Sequence, residues 1–423
     1  MSWIYTAIVP RTIPESPMPA GNERSPGGRS ERIDALASRL APHYSRFRVS
    51  ERLLFTGHSH QAWPDVAEQG LLEAFAAAAD KVDDKWPPAM DRAERLRAYL
   101  RHWYNDSGGH YGLASSTHQL LVSWLSALDL AGKPHIVTTD GEFHSMHRQL
   151  QRLVEAGVRV RFVPVEPLDS LGERILLACE ASTSAVMLSR VFFETSLINP
   201  HLEAVGLALR DRRIPMLVDD YHGTNVVPLS LASPGLANAY LVTGGYKYLQ
   251  WGEGNCFLRY PRDCALRPVV TGWYSSFSSM QEPRHAGPSR FDEGEWRFAS
   301  ATYDPVSQYR AARVVGFFES QQLDASVLRD QSQRQTAMLR DEVLAADLDP
   351  ALLSLAHPRE PVANGGFLAL KSPQAAALCE ALADRGVRTD VRGNILRLGP
   401  APYTSSAQIK AAISELRRCV LAL

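Results

Sequence analysis

An acidic residue and a lysine follow two successive apolar segments of the chain. Asp219 ends the run PMLV, and Lys247 follows the next apolar run, inside TGGYKYL. In an open parallel sheet, ligands gather beyond the carboxyl ends of the strands. Because both residues come directly after predicted strands, we expect them to face each other across one cleft.

This pair suits pyridoxal 5'-phosphate (PLP). A carboxylate beside the pyridine nitrogen keeps it protonated, so that the ring accepts electrons from a breaking bond. A lysine amine buried beside a cationic ring has a lowered pKa and becomes nucleophilic near neutral pH. The glycine-rich turn WGEGN, close behind Lys247, would let the backbone approach a ligand. We therefore predict a PLP enzyme with a Schiff base on Lys247 and Asp219 at the ring nitrogen.

The surrounding pattern predicts an α/β fold with a mainly parallel sheet of the seven-stranded type. Amphipathic helical stretches alternate with short apolar runs bounded by turn residues, which is typical of parallel α/β sheets. The predicted strands are HIVTT, VRVRFVPV, SAVMLSR, IPMLVDD and NAYLVTG. Past Pro305 a long helix, GGFLAL, NILRLG and a terminal helix indicate a smaller α+β domain.

The length of 423 residues favours more than one domain. We predict a flexible N-terminal arm over 1–31, rich in Pro, Gly and Ser. Residues 32–64 are expected to contribute to the small domain and a substrate loop. The large PLP-binding domain is expected over 65–304 and the small C-terminal domain over 305–423.

Composition argues against several classes of protein. A formal net charge of -1 implies no nucleic-acid partner, and no apolar run suggests a membrane span or a secretory signal. The five cysteines are scattered without a C-x-x-C pair, so neither a disulfide framework nor a zinc site is predicted. The histidine pairs His58/His60 and His144/His147 lack the spacing of a metal site, so no metal is expected. We expect a cytoplasmic protein.

The segments VDDYHGTNVVPLSL and GGYKYLQWGEGN resemble the cofactor region of the kynureninases, class V members of fold type I of the PLP enzymes. The resemblance extends over roughly residues 50 to 405. It implies that Lys247 is the Schiff-base lysine, Asp219 the partner of the pyridine nitrogen, and His222 the histidine that accompanies this aspartate. Tyr246, where cysteine desulfurases carry histidine, would contact the phosphate and transfer protons.

The resemblance implies further site residues and a homodimer with a shared active site. Around the cofactor it places Ser116 and Thr117 of ASSTHQL, Phe143 of DGEFHSMHRQL as a stacking ring, Ser196, Trp273 of TGWYSSF and, from the neighbouring subunit, Thr302. Around the substrate it places His58, Ser59 and His60 of FTGHSHQAWP. Arg397, in NILRLG, would bind the α-carboxylate of an L-amino acid with its planar guanidinium.

Three positions depart from the family. Residues 76–90 carry no histidine where kynureninases have one that recognises the substrate ring. Thr302 stands where the family has an asparagine near that ring, and Met146 where it has an aspartate at the phosphate. The resemblance as a whole implies hydrolytic Cβ–Cγ cleavage of kynurenine or a related β-acyl amino acid. The alternatives are a class V aminotransferase, a C–S lyase or desulfurase, or a PLP-binding protein without turnover.

Overall fold

The computed structural model describes residues 26–279, 282–283 and 287–422. The helices are α1 Pro26–Leu40, α2 Val66–Lys81, α3 Trp86–Trp103, α4 Thr117–Leu125, α5 His144–Glu155, α6 Leu171–Ala178, α7 Leu202–Asp211, α8 Val306–Ser320, α9 Ala325–Ala345, α10 Ala375–Asp384 and α11 Ser406–Leu421. The strands are β1 Leu53–Leu54, β2 Gly109–Ala114, β3 His135–Thr139, β4 Arg159–Val163, β5 Thr183–Ser189, β6 Met216–Asp219, β7 Tyr240–Gly244, β8 Cys256–Pro261, β9 Ser354–Leu355, β10 Leu368–Lys371, β11 Val387–Arg388, β12 Asp390–Arg392 and β13 Ile395–Leu398.

A seven-stranded sheet in the order β2-β8-β7-β6-β5-β3-β4 forms the centre of the larger part of the chain. The pairs from β7 through β6, β5 and β3 to β4 are parallel, whereas β8 runs antiparallel to both β2 and β7. Every residue of β5 is buried, as expected of a central strand that is covered on both faces. The predicted mainly parallel α/β sheet is confirmed.

A second, four-stranded sheet in the order β12-β13-β10-β9 is antiparallel, and it belongs to the C-terminal part of the chain. Helices α9, α10 and α11 contribute to a separate hydrophobic cluster around this sheet. The short strand β1 pairs with β11, so the segment near residue 53 joins this C-terminal unit. The arrangement agrees with a smaller α+β unit, and the domain boundaries stay a prediction.

The N-terminal prediction needs one correction. Helix α1 begins at Pro26, so the end of the segment predicted as an arm is helical, and Ile33 is fully buried in the C-terminal cluster. A proline in the first turn is compatible with a helix start, because its missing N–H would have no partner there. Residues 1–25 of the predicted arm lie outside the described residues.

Two strands of the central sheet, β2 and β8, are absent from the sequence prediction. Their six residue pairs are antiparallel, and a turn rather than a helix joins β7 to β8. The prediction relied on the alternation of strands with helices, which marks parallel strands. Within the described ranges, no helix has the length and apolar character needed to cross a bilayer.

Candidate active site

A cavity of about 240 Å3 lies where β5, β6 and β7 end. Its wall contains Ser115, Ser116, Thr117, His118, Leu121, Phe143, Ser145, Met146, Ser189, Val191, Phe193, Asp219, Tyr221, His222, Val242, Tyr246, Lys247, Glu253, Gly254 and Cys256. The parallel strands deliver their last residues to one edge of the sheet, which is where such folds bind ligands. Asp219 and Lys247 thus share one cavity, as the sequence predicts.

Lys247 lies in the turn after β7 and is almost completely buried, with 6% of its surface exposed. Its Nζ lies 2.6 Å from His222 Nε2 and 4.6 Å from the centroid of the Tyr221 ring. Burial lowers the pKa of Lys247 to about 7, opposed by the negative charge of Asp219. The amine is therefore largely neutral, and nucleophilic, just above neutral pH.

Two adjacent aspartates end β6 and have different surroundings. Asp219 lines the cavity, where its Oδ1 accepts a hydrogen bond from Tyr221 N at 2.9 Å. Asp220 points away from the cavity and accepts from Tyr104 Oη at 2.8 Å and Arg190 Nη1 at 3.4 Å. Burial raises the pKa of both carboxyls. Asp219 is thus available to a ligand, whereas Asp220 belongs to a structural network.

His222 and Tyr246 flank the lysine. Burial and the nearby Lys247 hold the pKa of His222 well below its usual range, so its ring is neutral. With Nε2 accepting from the lysine amine, the proton sits on Nδ1, a buried atom without a partner in the described structure. The Tyr246 ring lies at 5.0 Å from that of Tyr221, and burial raises its pKa.

One end of the cavity is formed by the start of α4. Ser116 caps this helix, with its Oγ accepting from Gln119 N at 3.3 Å, and Thr117 is the first helical residue. Free backbone N–H groups and the helix dipole favour an anion at such a position. Both predicted phosphate residues therefore line the cavity at a site suited to a phosphate.

Phe143 and Gly254 shape other walls of the cavity. The Phe143 ring centroid lies 5.5 Å from Lys247 Nζ, and the ring packs edge-on against Phe193 at 5.3 Å. Gly254 has φ +88, a backbone conformation that side chains rarely adopt, and it lets the chain pass close to the cavity. The flat apolar face of Phe143 is suited to an aromatic ring.

Arg397 lies behind the cavity wall rather than in it. Its guanidinium donates to both carboxylate oxygens of Asp390, at 2.7 and 2.5 Å, and its Nη1 donates to the backbone oxygen of Phe193. His58 Nε2 lies 2.9 Å from the same Asp390, and burial lowers the pKa of His58 to about 4. Arg397 is 2% exposed, so its predicted role requires a carboxylate to reach an arginine that already holds Asp390.

The other two predicted substrate residues lie at the edge of the site. His60 is exposed, and its ring stacks on Tyr246 with 4.7 Å between centroids. Ser59 Oγ lies 3.1 Å from His60 Nδ1. Neither residue lines the cavity, but the stacking brings His60 against a residue that does.

Ser196, a predicted cofactor-binding residue, lies outside this cavity in the single chain, and its role stays a prediction. It adopts φ +66 in a tight turn, its Oγ is buried without a partner in the described structure, and it is not part of the cavity wall. Ser189 lines the cavity instead, at the end of β5 and paired in register with Asp219 of β6. The signal in the sequence was its position, because Ser189 is the first polar residue after the apolar run AVML.

Trp273 and Thr302 are also outside this cavity in the single chain. Trp273 begins a 3-10 helix, Trp273–Ser279, and is 41% exposed while its ring stacks on Tyr274 at 4.2 Å. Thr302 is exposed and lines a second cavity of about 250 Å3. The two cavities share Ser115 in their walls. The predicted contact of Thr302 with a neighbouring subunit's cofactor stays a prediction.

The residues present fit PLP. The cavity combines a buried lysine of lowered pKa, a carboxylate without a cationic partner among the described ion pairs, and a helix start suited to phosphate. The buried Nδ1 of His222 offers a hydrogen-bond donor that the described residues leave without an acceptor. Over the described part of the chain, no cluster of three His, Cys, Asp or Glu side chains is suited to a metal.

Comparison with known proteins finds sequence similarity to kynureninases. Residues 328–416 match the model of the kynureninase C-terminal domain. The chain is 27% identical over 406 residues to a kynureninase of Pseudomonas fluorescens, covering 91% of this chain and 93% of that protein. It is 22% identical over 382 residues to the uncharacterized aminotransferase YcbU of Bacillus subtilis (strain 168), covering 86% and 96%.

Among solved structures, a mutant of C-DES with glycine covalently linked to its PLP cofactor superposes with a TM-score of 0.75. The identity is 17%, and the match covers 89% of this chain and 98% of that one. At this identity the likeness establishes the fold, and it confirms the predicted fold type. The chain is thus similar in sequence to the kynureninases, and its fold is the type I fold of PLP-dependent enzymes.

Proposed function

We propose that this protein is a PLP-dependent enzyme that hydrolyses the Cβ–Cγ bond of an L-amino acid with a β-acyl side chain. The observation that carries the proposal is the approach of Lys247, His222 and Asp219 within one cavity whose other end is a helix start. PLP, when bound, supplies a ring that stores the electrons released at the substrate's α-carbon. The remaining chemistry falls to side chains of this chain.

Lys247 has two tasks in this proposal. Its amine would hold the cofactor covalently, and burial provides the neutral, nucleophilic form of the amine near pH 7. With a substrate in the cavity, Lys247 Nζ would take the proton from the substrate's α-carbon. His222 accepts a hydrogen bond from Nζ and holds the amine in position. Asp219 keeps the ring nitrogen protonated.

Three other groups orient the substrate and move later protons. Tyr246 lines the cavity beside Lys247, and its hydroxyl is our candidate for delivering a proton to the β-carbon after cleavage. Arg397 would bind the substrate carboxylate with the Nη1 and Nη2 hydrogens that Asp390 and the Phe193 backbone oxygen leave free. Phe143, whose ring lies 5.5 Å from Lys247 Nζ, would offer the cofactor ring a flat apolar face.

We further propose a homodimer in which Thr302 reaches the partner's cofactor. Trp273 and Phe277 expose 41% and 38% of their surfaces on the 3-10 helix near this threonine, and large exposed aromatic side chains favour a protein interface. Tyr274 joins this helix to Tyr303 through rings 5.9 Å apart. A cytoplasmic location is supported by the five free cysteines.

The identity of the products tests the reaction. Purified protein is incubated with kynurenine, 3-hydroxykynurenine, β-benzoylalanine and cystine, and the products are identified by mass spectrometry. Alanine together with the matching carboxylic acid supports hydrolytic Cβ–Cγ cleavage. Pyruvate or persulfide from cystine indicates a C–S lyase, the activity for which C-DES is named. A product that requires an added keto acid indicates an aminotransferase. Lys247→Ala is the control that must lose every one of these activities.

A further inference from the structure

A buried carboxyl group with no assigned role lies directly behind the cavity wall. Glu142 sits in the turn between β3 and α5 and is 3% exposed. Its Oε1 accepts from Thr139 Oγ1 at 2.6 Å and from Ser189 N at 3.1 Å, and its Oε2 lies 2.6 Å from Ser189 Oγ. Among the described residues, no cation forms an ion pair with Glu142. This carboxyl is therefore held by neutral groups alone.

Ser189 connects Glu142 to the cavity. It lines the cavity at the end of β5, and it pairs in register with Asp219 of β6. A hydroxyl group has one hydrogen to donate and two lone pairs that accept. The direction of the bond between Ser189 Oγ and Glu142 therefore decides what the hydroxyl offers to a ligand in the cavity.

We propose that Glu142 is a positioning residue that sets Ser189 Oγ as a hydrogen-bond acceptor or donor toward the cofactor. When Glu142 is ionised, Ser189 must give its hydrogen to the carboxylate, so Oγ offers the cavity lone pairs only. When Glu142 is protonated, its proton lies on Oε2, because Oε1 already accepts the backbone N–H of Ser189. Oε2 then donates to Oγ, and the hydrogen of Ser189 is free to point into the cavity.

The electrostatic surroundings place this change near neutral pH. Burial raises the pKa of Glu142 to about 7; the hydrogen bonds from Ser189 and Thr139 lower it, and the charge of Asp219 raises it. Neighbouring titratable and charged groups lie on three parts of the chain. Asp219 ends β6, and Lys247 faces it across the cavity; Arg190 follows β5 and pairs with Asp220. Asp140 and His144 lie on the same segment as Glu142. Both states of Glu142 are therefore populated between about pH 6 and 8.

The consequence for binding rests on the proposed use of PLP. The phosphate, phenolate and carbonyl oxygens of PLP are all hydrogen-bond acceptors. A donating Ser189 hydroxyl suits them, whereas lone pairs facing them do not. The protein should therefore hold the cofactor more tightly with Glu142 protonated than with Glu142 ionised.

The test measures binding of 4-deoxypyridoxine 5'-phosphate, a PLP analogue without the carbonyl group, so that titration of Lys247 has no covalent consequence. Dissociation constants are measured by fluorescence at pH 6 and pH 8 for the full-length wild type and Glu142→Gln. The glutamine amide donates to Ser189 permanently and so imitates the protonated acid. At pH 6 the wild type and Glu142→Gln should bind the analogue with equal affinity. At pH 8 the wild type should bind it about three- to tenfold more weakly than Glu142→Gln, which corresponds to the loss of one hydrogen bond. The ratio of the two proteins' dissociation constants at each pH cancels the effect of titrating the phosphate of the analogue.

Two further variants separate the explanations. Ser189→Ala removes the hydroxyl, and in this background the Glu142→Gln substitution should no longer change the pH dependence of binding. If its effect persists in full, the charge of Glu142 acts directly on the ligand and the proposal is wrong. Glu173→Gln, at an exposed glutamate of α6, is the control and should leave the pH profile unchanged.

A measurement on the wild type avoids reliance on a variant that fails to fold. Infrared spectra of protein labelled with 13C-glutamate should show one protonated carboxyl that loses its proton with a midpoint near pH 7. Complete ionisation of all glutamates by pH 6 overturns the proposal. If the analogue does not bind while the carboxyl titrates as expected, the proposed use of PLP fails instead. If the analogue binds and Glu142→Gln follows the wild-type profile, the inference about Glu142 fails alone.

Discussion

Lys247 Nζ lies 2.6 Å from His222 Nε2, so the reactive amine donates to a neutral imidazole rather than to a carboxylate. An ion pair with a carboxylate would raise the pKa of the amine and keep it protonated. Burial instead lowers the pKa of Lys247 to about 7, and that of His222 falls well below its usual range. The contact thus orients the amine while leaving it nucleophilic.

The first prediction concerns how PLP attaches to the protein. A group with a lowered pKa is neutral above that pKa, so the rate of attachment should rise with pH around a midpoint of about 7. Asp219 raises the pKa of Lys247, so Asp219→Asn should move this midpoint to lower pH. Stopped-flow absorbance after mixing apoprotein with PLP measures the rate.

The site of attachment provides the control. Borohydride reduction followed by peptide mass spectrometry should place the pyridoxyl group on Lys247, and Lys247→Ala should carry none. The exposed Lys371 of β10 is a matched comparison, and its replacement by alanine should leave attachment unchanged. A label on any lysine other than Lys247 would refute the central assignment.

The second prediction separates the adjacent aspartates. Asp219→Asn should lower turnover by at least about 100-fold, because the amide cannot hold the ring nitrogen protonated. Its folding stability should not fall, since the substitution removes a buried carboxyl whose pKa burial raises. Steady-state rates and urea unfolding curves measure both quantities.

Asp220→Asn should behave in the opposite way. It removes the carboxylate that pairs with the buried Arg190, and breaking a buried pair costs about 3–5 kcal/mol. We therefore expect a large loss of stability and a smaller loss of activity per folded molecule. Equal effects of the two substitutions on turnover would show that the carboxylates are not divided in this way.

The sequence predicts the parallel strands because short apolar runs bounded by turn residues mark them, and helices precede and follow β3, β4 and β5. Strands β3 and β5 fall within one residue of their predicted starts. The antiparallel strands β2 and β8 were not predicted. In the case of β8, the sequence CFLRYP has a charged residue inside it. That residue, Arg259, is buried by pairing with Asp106, a contact that only the folded chain reveals.

The sequence also predicts some residues of the site and not others. Residues at strand ends, such as Asp219 and Lys247, follow from the rule that ligands gather there. Ser189 obeys the same rule, but the sequence prediction did not include it among the site residues. The engagement of Arg397 by Asp390 depends on the antiparallel register of β12 and β13, which spacing alone does not reveal.

The third prediction concerns the substrate carboxylate. Arg397→Ala should lower kcat/KM for every amino-acid substrate by the same factor, because all of them share the α-carboxylate. The factor should correspond to a loss of about 2–5 kcal/mol in transition-state binding energy. Asp390→Asn should have a smaller effect, since Arg397 keeps its charge but loses a partner that fixes its plane. Kinetics on several substrates measure both; a loss confined to one substrate would move Arg397 from the carboxylate to the side chain.

The fourth prediction tests the shared active site by mixing two inactive variants. If Thr302 serves the partner's cofactor, Thr302→Glu should repel the phosphate there, and Lys247→Ala should inactivate its own site. A mixed dimer then contains one intact site, so mixing the two should restore activity, up to about a quarter of wild type by random reassortment. Light scattering should report a dimer throughout. No recovery in a confirmed mixed dimer would place Thr302 in its own chain's site.

The fifth prediction concerns the side chain of the substrate. The wall beside Phe143 includes Met146 and Phe193, and residues 76–90 supply no histidine to bind a polar ring substituent. A site that hydrogen-bonds such a substituent gains about 1–3 kcal/mol for each buried partner, and this site should lack that gain. Kynurenine, with its ring amino group, should therefore be a poor substrate and no better than β-benzoylalanine, which has none. The ratio of their kcat/KM values measures this difference independently of the carboxylate and of the cofactor, because both are common to the two reactions. A preference for kynurenine of tenfold or more would mean that a group elsewhere in the site, such as the exposed His60 stacked on Tyr246, recognises the ring amine.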